Sequence, residues 1–178
     1  VNLLRGELAS NEQQIQRMQN DEQELLRLIE KLQEILDELL EEEKTATSFS
    51  SLKGSLQLPV DAKVIVRFGS QRKVGNLRWK GVVLAGQLGS DIHAVYAGRV
   101  VYADWMRGFG LLLIIDHGDS YLSLYGQNES ILVEEGDWVS TGQTIATMGK
   151  SGGSSSPSLY FEIRYKGKPQ NPLLWTRR

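Results

Sequence analysis

The chain changes its hydrophobic period once, near residue 46, and that change divides it into two kinds of structure. Residues 1–46 contain no Pro and a single Gly, Gly6, and are dense in Leu, Glu, Gln and Lys, all good helix formers. With Leu8, Ile15, Glu22, Ile29 and Leu36 at heptad position a, position d holds Leu4, Asn11, Met18, Leu25, Leu32 and Leu39. Nine of these eleven seam positions are apolar, which predicts one long helix with coiled-coil character. Such a helix would span roughly 65 Å at ~1.5 Å per residue, too long for a small domain to cover along its whole length. From Leu25 onward, Leu26, Leu28, Ile35 and Leu40 widen the stripe beyond a strict seam, so packing on more than one neighbour is expected. Two roles stay open: a spacer or dimerisation stalk, and a binding arm that recruits a partner or covers the adjacent domain. Asn11 and Glu22, the polar exceptions in the seam, either set the register or mark a weak stretch.

The run Thr45-Ala46-Thr47-Ser48-Phe49-Ser50-Ser51 is small and polar and opens a linker expected over residues 47–57. Beyond it, Gly-punctuated apolar segments predict strands at 64–68, 82–85, 91–103, 111–117, 121–125, 144–148 and 159–165. Frequent turns and the lack of a second strong helical stretch predict a mainly β domain over 58–178, an antiparallel or mixed barrel or sandwich. The net charge of -2, with basic residues scattered, gives no clustered cationic face for nucleic acid. The longest apolar run, residues 111–115, is strand-sized and far short of the ~20 residues that span a bilayer. The chain begins Val1-Asn2-Leu3, with neither an initiator Met nor a leader, and reads as a piece of a longer one whose signal peptide lies outside it.

Without Cys there is no disulfide, thiolate ligand or thiol nucleophile. The two His, His93 and His117, stand about two predicted strands apart and cannot furnish a His-rich hydrolytic site. Asp116-His117-Gly118-Asp119 falls where a strand turns, and a turn alone calls for Asp and Gly there. No motif places a base beside Ser123, Ser154, Ser155 or Ser156.

Gly136-Asp137-Trp138-Val139-Ser140-Thr141-Gly142-Gln143-Thr144-Ile145-Ala146, then Gly149, Ser151-Gly152-Gly153 and Ser158-Leu159-Tyr160-Phe161-Glu162-Ile163-Arg164, resemble the carboxyl-terminal half of LytM domains, the lysostaphin-type zinc endopeptidases of bacterial cell walls. Upstream, Trp79-Lys80-Gly81-Val82-Val83, Gly98-Arg99-Val100-Val101, Gly108-Phe109-Gly110, His117-Gly118 and Tyr125-Gly126-Gln127 follow in that family's order. The resemblance implies an antiparallel LytM-like β fold. It also implies a His and an Asp four residues apart for zinc, a further ligand at the end of an H-x-H pair, and a catalytic His. This chain has Trp79, Val83, the pair Ser158 and Tyr160, and Gln127 at those places. Indole, isopropyl and phenol groups do not replace such a set, so no metal, no cofactor, no catalytic residue and no enzyme activity are expected.

A vacated site can persist as a binding groove. Strand alternation puts Ser123, Tyr125 and Gln127 on one face, and Ser158, Tyr160, Glu162 and Arg164 on another. Trp79, Gly81 and Val83 would face the old metal position, with Lys80, Phe109 and Leu112 at the rim. Tyr, Trp and Arg are the residues enriched at interface hot spots; the same aromatics can also simply fill the space as core. The helix, linker and ligandless domain together resemble the EnvC family of division-associated proteins. That resemblance implies a non-catalytic, periplasmic activator of peptidoglycan amidases (N-acetylmuramoyl-L-alanine amidases, which are zinc enzymes) at the septum, recruited through the coiled coil by an FtsE/FtsX-type membrane complex. It further implies a helical arm that lies over the groove until the partner complex pulls it away. A peptidoglycan-binding module and a divisome scaffold are the alternatives.

Overall fold

A computed structural model gives the protein's coordinates and describes residues 2–39 and 48–177. The heptad segment forms one helix, α1 (Asn2–Leu39). The expected continuation through residues 40–46, with Leu40, and the seam side chain of Leu39 lie outside what is described. No described helix is long and apolar enough to cross a membrane.

The second segment forms ten strands: β1 (Lys63–Val66), β2 (Val82–Ala85), β3 (Asp91–His93), β4 (Gly98–Met106), β5 (Gly110–Asp116), β6 (Tyr121–Ile131), β7 (Trp138–Val139), β8 (Thr144–Met148), β9 (Ser158–Tyr165) and β10 (Lys168–Gln170). They make one sheet with the main order β1-β2-β9-β6-β5-β4-β7, to which β10 adds beside β9 and the β3/β8 pair beside the end of β6. Every named pairing is antiparallel. A mainly β, antiparallel domain preceded by a helix is therefore what the chain adopts. The single strand expected over 91–103 is two, because the backbone between them turns to other partners: Ala94 N–H bonds Gln143 O, Val95 N–H bonds the Tyr125 hydroxyl, and Ala97 N–H bonds Thr141 Oγ1.

Period-two alternation gives the central strands two apolar faces. One carries Val82, Leu84, Leu113, Ile115, Tyr125, Leu159, Phe161 and Ile163, and is closed by the loops and short strands of the domain itself. The other carries Val83, Leu112, Ile114, Leu122, Leu124 and Tyr160, and is closed by α1 through Leu25, Ile29 and Leu36. These three helix residues all occupy seam positions, so in this half of α1 the partner of the seam is a sheet rather than a second helix. Toward its start α1 runs past the domain, leaving Leu3, Leu4 and Leu8 exposed. The stripe-widening residues Leu26 and Ile35 also stay exposed.

The expected linker over 47–57 needs correcting from Phe49 onward; Thr47 lies outside the described residues. Phe49 opens a short 3-10 turn (Phe49–Leu52) and is fully buried. Its ring stacks on His117 at 4.8 Å and Trp175 at 5.0 Å, with Tyr121 at 4.9 Å. Leu56 N–H bonds Trp175 O, and Arg177 N–H bonds Leu56 O, which stitches this segment to the chain's last described residues. A small-polar composition hid one aromatic anchor. Phe49→Ala should cost about 3–5 kcal/mol, the usual range for emptying a buried aromatic position. Urea unfolding would check this, and a loss below about 1 kcal/mol, ordinary for a surface change, would restore the linker reading.

Candidate functional site

Strand β9 organises the site. From it Tyr160 packs in the apolar cluster under α1, and Glu162 and Arg164 lie near Glu22 of α1, with Ser158 on the same face of the strand. Pairing places Val83 of β2 and Gly126 of β6 on either side of Tyr160. The Trp79 ring lies 6.1 Å from Tyr160, with the Arg72 guanidinium stacked over the indole at 4.0 Å. Phe109 approaches Tyr160 at 5.7 Å. Ser158 Oγ donates to Gln127 Oε1 at 2.8 Å. Gly81 keeps this crowding possible, since a Cβ there would collide with the Phe161 carbonyl oxygen. Arg72, Trp79, Phe109, Gln127 and Tyr160, together with Met18, Asp21 and Glu22 of α1, line an open pocket of about 220 Å³.

Nine of the ten expected groove residues gather on this face, with different roles. Trp79, Val83, Gln127, Ser158, Tyr160 and Arg164 line it, and Lys80 lies exposed at its edge. Phe109 and Leu112, expected at the rim, are buried floor beneath α1. Tyr125 is the correction. It pairs with Phe161 rather than Tyr160, is fully buried in the opposite core, and its ring lies 5.4 Å from Phe161. Gln127 has φ 66°, and β6 carries one extra residue between its pairings to Leu113 and Leu111. This bulge breaks the period of two, so Tyr125 faces inward while Gln127 returns to the groove.

Ser123 lies on the inner face with Tyr125. Its hydroxyl bridges His117 Nε2 at 2.6 Å and the Tyr125 hydroxyl at 3.0 Å, while His117 Nδ1 meets Ala97 O at 2.8 Å. Ser123 is fully buried. These bonds satisfy a buried polar chain, and burial lowers the His117 pKa to about 4, so the ring is neutral at pH 7.

The groove is electrostatically loaded. Arg164 Nη2 bonds Glu162 Oε1 at 2.9 Å, and its Nη1 donates to Gly167 O at 3.1 Å. Glu22 of α1 stands above, 3.9 Å from Arg72 and 4.0 Å from Arg164. Nearer the mouth, Arg107 bonds Asp21 at 2.7 Å and Glu24 at 3.3 Å. Burial raises the Glu162 pKa to about 7, with Arg164 opposing. Glu22 is also raised by burial, against the pull of Arg164, Arg72 and Lys80. Arg72 and Arg107 carry no signal in the sequence pattern. Glu22 did carry one, as an acid in an apolar seam.

These residues do not fit a zinc ion. Trp79, Val83 and Tyr160 offer no ligand nitrogen, thiolate or carboxylate, Glu162 is tied to Arg164, and the described residues hold no cluster of three or more His, Cys, Asp or Glu.

The profile of peptidase family M23 matches residues 77–172. The chain belongs to peptidase family M23. This M23 chain is 45% identical over 126 residues to the murein hydrolase activator EnvC of Escherichia coli (strain K12), a match covering 71% of the chain and 30% of that relative. It is 49% identical over 130 residues to the murein hydrolase activator NlpD of Salmonella dublin, covering 72% of the chain and 33% of that relative. The chain thus spans about a third of the length of these relatives. Among solved structures, a zinc containing peptidase from Vibrio cholerae superposes with TM-score 0.63 at 25% identity, covering 68% of this chain and 40% of that one.

Because Glu162 keeps its proton to about pH 7 when folded, against an ordinary 4.5, its contribution is complete below pH 4.5 and is lost as pH rises through 7. Glu22 shifts the same way. His117 works oppositely: its contribution is complete above pH 6.5 and is lost as pH falls through 4. Glu162→Gln should therefore gain on the native protein as pH rises from 4.5 to about 8, read as a narrowing or reversal of the Tm gap. A gap independent of pH would contradict a protonated Glu162.

Proposed function

We propose that this M23 chain activates a peptidoglycan hydrolase without cutting bonds itself. Its partner on this reading is a periplasmic zinc amidase of the N-acetylmuramoyl-L-alanine type at the division septum, bound through the groove of Trp79, Lys80, Val83, Gln127, Ser158, Tyr160 and Arg164. The observation that carries the reading is the packing of α1: a groove that already holds Leu25, Ile29 and Leu36 of one amphipathic helix has the shape and apolar floor to take another. The donor-poor set at the old ligand positions and the activator names of the relatives support it.

In this state α1 acts as a cover. An amidase helix binds only when α1 leaves, and the exposed start of α1, with Leu3, Leu4 and Leu8, is the handle by which an FtsE/FtsX-type membrane complex pulls it away. Burying Leu25 and Ile29 stabilises the covered state by roughly 3–6 kcal/mol, enough to keep the open state rare.

A dye-release assay on labelled peptidoglycan tests this with the full chain, a candidate amidase, and both. Leu25→Asp with Ile29→Asp should raise release by the mixture at least about tenfold over the native chain, since the cover then no longer competes. Arg164→Ala or Tyr160→Ala on that background should remove the gain. Release by the chain without amidase would overturn the non-catalytic reading, and no gain from the opened chain would overturn the groove as the activating surface.

A further inference from the structure

We propose that the groove selects a helix bearing a carboxylate one turn ahead of two apolar residues, and that Glu22, Leu25 and Ile29 of α1 are the chain's own imitation of that signature. The inference rests on the activator reading and specifies the chemistry of the partner helix.

A seam that served only to bury apolar surface would carry Leu or Ile at position 22. Glu22 instead sits at a heptad a position between Met18 and Leu25, and desolvation there opposes its charge. What it meets explains its presence. The groove holds three cations around that point, Arg72, Arg164 and Lys80, and Glu162, the acid bonded to Arg164, offsets at most part of their charge. An all-apolar helix laid over them would desolvate the surplus positive charge without compensation. Spacing completes the pattern: Glu22, Leu25 and Ile29 fall at i, i+3 and i+7, one stripe of a helix. Asp21 and Glu24 repeat the acidic preference at the mouth, against Arg107.

The fit of Glu22 is incomplete. At 3.9 and 4.0 Å it attracts Arg72 and Arg164 without hydrogen-bonding either. Among the described residues the buried Nε atoms of Arg72 and Arg164 have no hydrogen-bond partner, and Arg164 is only 3% exposed. A carboxylate seated about 1 Å deeper would form the charge-assisted bonds that Glu22 does not. Cover and partner therefore share one chemistry, with the cover the weaker version of it, and this lets a partner displace α1 rather than compete with an optimised contact.

The probe is a fluorescein-labelled peptide of residues 15–37, titrated by anisotropy onto the full chain carrying Leu25→Asp and Ile29→Asp. The same peptide with Glu22→Gln should bind about threefold more weakly, the size of a lost loose ion pair rather than of a lost charge-assisted hydrogen bond. That difference should shrink when the protein carries Arg164→Met or, leaving the Glu162 pair intact, Arg72→Met. Thermal unfolding of each variant identifies any loss caused by misfolding. Equal binding of the native and Glu22→Gln peptides would overturn the carboxylate preference while leaving a helix-binding groove. Failure of every peptide to bind would overturn the groove itself. If the native peptide binds yet does not block amidase activation by the opened chain, the groove as the amidase's docking surface fails, and the partner signature with it. If the opened chain does not activate the amidase at all, the activator reading fails separately.

Discussion

The central strands present two apolar faces, and the β domain closes only one of them with its own loops. Val83, Leu112, Ile114, Leu122, Leu124 and Tyr160 would meet water if α1 were not laid over them. A contiguous apolar surface of this kind on a folded domain needs a partner, and here the same chain supplies it. Everything notable about the site follows from that packing: the burial of Tyr160 and Glu162, the small open pocket under Met18, and the contact of Glu22 with Arg72 and Arg164.

The polar side of the same interface is less well satisfied than the apolar side. Glu162 and Arg164 form a close buried pair, while Glu22 adds charge without hydrogen bonds. Burying ionised groups costs free energy that a loose ion pair only partly offsets. An interface with a strong apolar stripe and a poorly satisfied charge cluster holds its helix while leaving room for a better ligand. Gly108 shows how closely α1 approaches: a Cβ there would stand 2.6 Å from the Asp21 carboxylate.

Much of the groove was legible from residue type and strand period. Ser158, Tyr160, Glu162 and Arg164 share a face because β9 is regular. Tyr125 was misplaced because the bulge at Gln127 arises from how β6 pairs with its different neighbours, a property of the assembled sheet rather than of its own sequence. Phe49 was missed for a related reason: its burial depends on His117, Tyr121 and Trp175, which are distant in the chain.

The heptad pattern by itself determined a long helix with an apolar seam, and alternation with Gly punctuation determined a mainly β domain, because both depend on period and local propensity. That every named pairing is antiparallel was left to the structure. The chemistry of the side chains likewise determined that the old ligand positions offer no zinc-binding set. Which surface receives the seam was decided only by the tertiary structure, since a heptad stripe is equally suited to a second helix and to a sheet. The meaning of Glu22 was decided there too: in the sequence it is a defect in a seam, and only the arrival of Arg72 and Arg164 from distant strands and loops makes it a charge with a purpose.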